Sequence, residues 1–357
     1  MKDIIYFIDN PHNNPSAAYN RIRLFEKGFK EDNENCKIVL LKTIYNHRRP
    51  LRFFLAAIYP IWYYLKFFFN NKNTLIIYGE NYLWSLLRFP RKAEVYVERN
   101  EYPSFLIDPH IKKTKQRENQ LKLLSNVEGM ITCTEALRDY YLKFLSKSAR
   151  IHVSNVIVDV NEFQRTKDIE KKISYCGDWG NHKDGVDILI KSFALFRQKH
   201  SDYILELIGG STPEVESELH QLALNLGVEN SIRYVGRVPH NLIPEYLCSA
   251  DVLALARPAN KQAEGGFPSK VAEYLATGRP IVLTNVGELH LYLKDNENCF
   301  MSEPDSVECF AQKLNEAVDS PQKKEIGRCG YNKSLEFNYL FKARLLKDFL
   351  SEGSNNN

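Results

Sequence analysis

Paired cysteines are missing from this sequence. Its seven cysteines (Cys36, Cys133, Cys176, Cys248, Cys299, Cys309 and Cys329) are scattered and odd in number, and no two have C-x-x-C spacing. That argues against a disulfide framework and a structural zinc, and fits a reducing compartment. No secretory signal pattern is read, so a cytoplasmic location is expected. A large excess of one charge sign is also lacking. Lys and Arg number 48 against 44 Asp and Glu, a net charge of +4. That is too mild for a dedicated nucleic-acid binder, but it suits an anionic substrate or a membrane surface. Walker loop, serine-hydrolase elbow, zinc pattern and nucleic-acid module are all absent, and neither a metal nor a bound cofactor is expected.

No apolar run is long enough to span a bilayer. The nearest approach is Phe53 to Leu65 (FFLAAIYPIWYYL), with Pro60 in its middle. As a helix it would cover ~20 Å of a hydrocarbon core of ~30 Å. Tyr59, Trp62, Tyr63 and Tyr64 favour a membrane–water interface, and His47, Arg48, Arg49 and Arg52 precede them. Two readings stay open: peripheral contact with the inner membrane face, or a plain core helix.

What is present is a regular alternation of strand and helix over 357 residues, enough for two α/β domains with a core each. Strands are expected at Ile4 to Ile8, Lys37 to Leu41, Thr74 to Tyr78, Glu94 to Val97 and Gly129 to Cys133, with a helix at Ala17 to Phe29. The charged stretch Arg165 to Lys172 reads as a linker. The pattern then restarts at Ile173, with strands at Tyr203 to Ile208, Ile232 to Val235, Val252 to Ala256 and Ile281 to Thr284. Late helices are expected at Val307 to Val318 and Ser334 to Leu350. The division expected is 1–165, 166–335 and a terminal helix with a disordered tail at 336–357.

The most informative segment is Glu264-Gly265-Gly266-Phe267-Pro268-Ser269-Lys270-Val271-Ala272-Glu273, followed by Gly278 and Pro280. It reads as glycine loop, helix with Ser269 as N-cap, then strand. A helix N-terminus beside such a loop favours phosphate. Lys270 lies in the first turn, where a cation is disfavoured unless an anion is near.

This segment resembles the donor motif of glycosyltransferase family 4, retaining enzymes of the GT-B fold, in a bacterial GGFPSK-type variant. The resemblance implies two doubly wound Rossmann-like domains facing a cleft. It also implies transfer of a sugar from a UDP- or GDP-sugar to a glycan acceptor, lipid-linked and of surface-polysaccharide type. Two glutamates bracket the family motif with seven residues between them. Glu273 matches the second, which contacts ribose. Glu264 is the candidate for the first, on the transferred sugar, but it stands one residue early because Gly265 takes the usual place. The resemblance makes Gly265, Gly266, Phe267, Pro268, Ser269 and Lys270 donor-binding, with Gly177 in the first loop of the second domain. It gives Lys183 the role of phosphate-binding lysine and puts Arg237 and Val238 near the base. The family arginine after the first glycine is replaced by Asp178, and Arg257 and Lys270 are the candidates to restore its charge.

In the first domain the family's glycine-rich loop is replaced by Asn13, Asn14 and Pro15, and His12 is a lone loop histidine. Glu98, Asn100 and Glu101 close the fourth strand, where open α/β sheets place ligands. Glu98 and Glu101 are catalytic candidates, set against a solvated loop with local ion pairs. The alternative from another class is a catalytically silent GT-B protein that binds nucleotide sugar or scaffolds glycan assembly.

Overall fold

The computed structural model describes residues 2–9, 16–41, 58–108, 110–163 and 168–354. His12, Asn13, Asn14, Pro15, the 47–52 basic cluster, the start of the 53–65 segment, linker residues 165–167 and the end of the tail lie outside them. The chain forms two compact units, Met1–Ile157 with Tyr339–Asn357, and Val158–Asn338.

The first unit is built on β1 (Asp3–Asp9), β2 (Cys36–Leu41), β3 (Asn73–Tyr78), β4 (Glu94–Arg99), β5 (Gly129–Thr132) and β6 (Arg150–Val153). They form one parallel sheet in the order β2-β1-β3-β4-β5-β6. β1 and β3 are nearly continuous apolar runs, as strands covered on both faces must be, while β4 buries the charged Glu94, Glu98 and Arg99 around its Val-Tyr-Val centre. Helix Ala17–Glu31, capped by the Ser16 hydroxyl, packs Ile22, Phe25 and Phe29 onto the sheet. Each of these fully buried side chains contributes about 1.5–3 kcal/mol. The last helix, Tyr339–Ser354, lies on the same layer. Gly28 lets it approach, since a Cβ there would sit 2.5 Å from the Ala343 Cβ. Lys347 then pairs with Asp32 at 2.6 Å and Glu34 at 2.8 Å.

The second unit holds β7 (Glu170–Asp178), β8 (Ile204–Gly210), β9 (Ile232–Gly236), β10 (Ala250–Leu255), β11 (Ile281–Thr284) and β12 (Phe300–Ser302). Its parallel order is β12-β11-β10-β7-β8-β9. The strand sequence reverses direction between β7 and β10, and in such sheets the crevice beyond the carboxyl ends at that point receives ligands.

Both sheets are doubly wound, as expected, with differences at the joints. The units divide at Ile157/Val158 rather than at 165. Val158 bridges Asn338, and the turn Val160–Phe163 packs on helices of the second unit, where the Cys248 thiol donates to the Phe163 carbonyl at 3.0 Å. The linker residues 170–172 belong to β7. The helix expected from Ser334 is broken. Helix Lys323–Ser334 ends there, the chain makes a turn at Leu335–Phe337, and Asn338 is extended before Tyr339 starts the final helix.

Candidate active site

The carboxyl end of β7 is Gly177-Asp178, and Arg257 follows the end of β10. Beside them the helix Ser269–Ala276 begins. Its residues Lys270 and Tyr274 are four apart and therefore share a face. Both reach β7: the Tyr274 hydroxyl accepts from the Cys176 N–H at 2.8 Å, and Lys270 runs under Gly177. A Cβ at Gly177 would lie 2.0 Å from the Lys270 Cε, so only glycine leaves room for this lysine. Ser269 is the first helical residue, not the cap. Pro268 precedes it, and no side chain caps the first turn; the Val271 N–H donates back to the Pro268 carbonyl at 3.1 Å.

The anion that Lys270 needs is supplied by the chain itself. Lys270 Nζ is 2.7 Å from Asp184 Oδ2, with the two side chains 16% and 1% exposed. The Tyr175 hydroxyl lies 2.8 Å from the same carboxylate oxygen. Burial alone would raise the Asp184 carboxyl. The Lys270 charge and the hydrogen bonds from Lys270 and Tyr175 outweigh it and hold the group below its ordinary value. Burial, reinforced by Asp184, pushes the Tyr175 phenol well up, so it stays a donor.

Arg257 is 4% exposed, so it is not a surface residue. Its guanidinium lies beneath Gly266, where a Cβ would come within 3.3 Å of it. The Arg257 backbone is held by the Thr284 hydroxyl at 2.6 Å. Phe267 anchors the glycine loop against Tyr292 and Phe337, at ring distances of 5.3 and 6.0 Å.

Glu273 lies one turn on from Lys270. Burial raises its carboxyl above the ordinary 4.5, Glu162 adds to the rise, and His240 and Lys270 oppose it. Its side chain has no hydrogen-bond donor among the described residues. The side chain is half-buried, so its oxygens can accept from hydroxyls.

The remaining expected residues are placed as follows. Glu264 is not in a loop; it ends the short helix Lys261–Gly265, exposed, with Lys261 Nζ at 2.6 Å. Lys183 is exposed on the short helix Asn181–Asp184, in what was expected to be plain loop. Asp178 is exposed, and its carboxylate accepts the Gly180 N–H at 2.8 Å instead of pairing with Lys183 or Arg257. Arg237 and Val238 follow β9, the former exposed and the latter half-buried. Glu98 and Glu101 are in the first unit. Glu98 is neither in a loop nor solvated. It is fully buried in β4 and pairs with Arg21 Nε at 2.6 Å, while that guanidinium also holds the Ser154 carbonyl at 2.7 Å. The backbone carbonyl of Glu101 accepts from the Tyr141 hydroxyl at 3.0 Å.

Sequence reasoning missed Asp184 and Tyr175. The signal was there: a lysine in a first helical turn calls for a carboxylate, and Asp184 directly follows Lys183 in the sequence. Among the described residues no cluster of His, Cys, Asp and Glu is arranged to hold a metal ion.

Residues 170–320 match the family model of glycosyl transferases group 1. An uncharacterized glycosyltransferase of Haemophilus influenzae is 26% identical over 200 residues, 56% of this chain and 54% of that protein. A D-inositol 3-phosphate glycosyltransferase of Corynebacterium aurimucosum is 26% identical over 188 residues, 51% of this chain and 43% of its own. The chain thus spans about half the length of these curated relatives. Solved structures align over nearly the whole chain. Anabaena HepE in complex with UDP and glucose gives a TM-score of 0.74 at 15% identity, covering 98% of this chain and 100% of that one. Sucrose-phosphate synthase from Thermosynechococcus elongatus gives 0.77 at 15% identity, covering 100% of both. The fold is GT-B, and the match to the glycosyl transferases group 1 model lies within the second unit.

Proposed function

We propose, from the match of residues 170–320 to glycosyl transferases group 1, that this chain is a retaining glycosyltransferase working without a metal. It moves a hexose from a UDP- or GDP-sugar to a glycan acceptor, lipid-linked and of surface-polysaccharide type, in the cytoplasm. The observation that carries the reading is the buried Arg257 and the half-buried Lys270, beside a helix start without a side-chain cap at the β7/β10 reversal.

In this reading the bond from the anomeric carbon to the diphosphate breaks, and negative charge grows on the leaving oxygen. Lys270, Arg257 and the first N–H groups of Ser269–Ala276 are fixed before reaction, so they stabilise that charge with little reorganisation. Lys183 adds a mobile cation at the rim. The acceptor hydroxyl attacks on the face the diphosphate leaves and passes its proton to the leaving phosphate, which requires no carboxylate nucleophile. Glu273 accepts from the ribose hydroxyls. Glu264 turns from Lys261 to the sugar hydroxyls. The backbone at Arg237 and Val238 borders the base. Glu98 serves by holding Arg21, and Glu101 borders the acceptor side.

HepE is described in complex with UDP and glucose, which supports a nucleotide-sugar partner here. The test is turnover of UDP- and GDP-sugars with EDTA present and a lipid-linked glycan acceptor. Release of nucleoside diphosphate with a product of unchanged anomeric configuration supports the reading. Inverted product, or turnover abolished by EDTA, contradicts it.

A further inference from the structure

We propose that the first unit docks on an anionic bilayer through one helical face and the loop beside it. The helical stretch runs over residues 58–68, α-helical and then π-helical from Tyr64 to Phe68. Its inner side is fixed: Tyr63 and Phe68 are 1% and 0% exposed, and Phe7 packs edge-on to Tyr63 at 5.8 Å. Its outer side carries Ile61, Trp62, Leu65 and then Phe69, exposed by 57%, 47%, 65% and 44%. The spacing of three and four residues puts them in one stripe. Phe89, 47% exposed, continues it, because the Tyr64 ring lies between Phe69 at 4.9 Å and Phe89 at 5.8 Å. The two segments move as one piece, since the N–H groups of Lys92 and Ala93 both donate to the Phe68 carbonyl. A contiguous apolar stripe with a tryptophan at its centre marks an interaction surface.

The charge around the stripe says which partner. Residues 58–72 and 81–93 contain no Asp or Glu at all, but hold Lys66, Lys72, Arg88, Arg91 and Lys92. Arg91 is engaged by Glu128 at 3.0 Å. The other four have no carboxylate partner among the described residues. Lys66 Nζ stacks over the Trp62 ring at 4.6 Å, which keeps the cation at the level of the apolar face. Aromatic and aliphatic groups flanked in sequence by cations without carboxylate partners match lipid acyl chains below anionic headgroups. No helix among the described residues is long and apolar enough to cross a membrane, so contact stays peripheral.

Tryptophan fluorescence isolates this face. Of the three tryptophans, Trp84 and Trp179 are 0% and 3% exposed, and only Trp62 is open to solvent. The full chain is mixed with vesicles of phosphatidylcholine plus phosphatidylglycerol, or of phosphatidylcholine alone. It should sediment with the anionic vesicles and show a blue shift there. Trp62→Phe should still sediment but lose the shift. Lys66→Gln and Arg88→Gln should each weaken binding about fivefold, and Trp62→Ser/Leu65→Ser should release the protein with its thermal unfolding unchanged. All substituted side chains are exposed, so these variants fold. Equal sedimentation of wild type and Trp62→Ser/Leu65→Ser overturns the proposal, as does a blue shift that persists in Trp62→Phe. A lipid-independent dimer lost in the same double variant overturns it in favour of a second copy of the chain. None of these readouts involves nucleotide, so they are independent of the donor-site reading.

Discussion

Asp184→Asn removes one charge and almost no volume. It leaves Lys270 as a mostly buried ammonium with only an amide oxygen and the Tyr175 hydroxyl nearby. At 2.7 Å and an effective dielectric constant of ~20, the gross attraction lost is about 6 kcal/mol. The pair was costly to desolvate, so the net effect is smaller. Breaking a buried pair on one side costs about 3–5 kcal/mol, and the partial exposure of Lys270 moves the expectation to about 2–4 kcal/mol. For a unit of this size that lowers Tm by roughly 5–15 °C. Lys270→Met strands Asp184 in the same way, whereas the double variant strands neither. A double-mutant cycle in urea should therefore give a coupling of about 2–3 kcal/mol. The pH profile follows from the sign of the shift. Asp184 is held below its ordinary 3.8 in the folded state. Its contribution is complete above the unfolded value and is lost as pH falls through the lower folded value. The stability gap between wild type and Asp184→Asn should narrow only below about pH 4. A coupling under about 0.5 kcal/mol would mean that the pair is not formed as described, and would refute the reasoning.

Glu273 carries the opposite sign. Its folded value is raised, so its ionised form costs stability above the unfolded value of 4.5, increasingly until pH passes the folded value. Glu273→Gln should raise Tm at neutral pH and show no gain near about pH 3.5, while weakening nucleotide binding; a lower Tm at neutral pH would show that the carboxylate is internally satisfied. In the first unit, Glu98→Gln should cost about 2–4 kcal/mol by urea unfolding because it unpairs the buried Arg21, and unchanged stability would show that the Ser154 carbonyl, with the Asn155 carbonyl that accepts from the same guanidinium, suffices for it.

How far the sequence reaches differs between fold and site. The strand sets of both units were legible because parallel strands are apolar on both faces, and the runs Ile4 to Ile8 and Val252 to Ala256 have no other comfortable place. The glycine loop and its helix were legible because Pro268 restricts the backbone, Gly266 permits a close approach and Gly278 takes the left-handed conformation that ends a helix. The helix ends were not. Pro268, not Ser269, precedes the helix, and Glu264 and Gly265 finish a short helix capped by the Asn260 side chain at 2.8 Å. Such limits depend on hydrogen bonds that any Ser, Asn or Pro nearby could have made. The Asp184–Lys270 pair joins residues 86 positions apart, and periodicity carries no information at that separation. Glu98 looked like a loop carboxylate because its partner Arg21 is 77 residues away. The likeness to a known family gave the lysine role to Lys183, which is exposed, whereas the lysine that pairs with a buried carboxylate is Lys270.

The central claim is that the β7/β10 crevice of the second unit receives a nucleoside diphosphate on Lys270 and Arg257. Calorimetric titration of wild type and Gly177→Ala with UDP, GDP and UMP, in EDTA, tests it most directly. Gly177→Ala forces the Lys270 side chain aside, because the added methyl would meet its Cε at 2.0 Å. The account expects one diphosphate to bind wild type at least tenfold more tightly than the monophosphate, a difference of about 1.4 kcal/mol, and that preference to vanish in a folded Gly177→Ala. Equal binding of UDP and UMP by wild type, or a preference that survives the substitution, would contradict it.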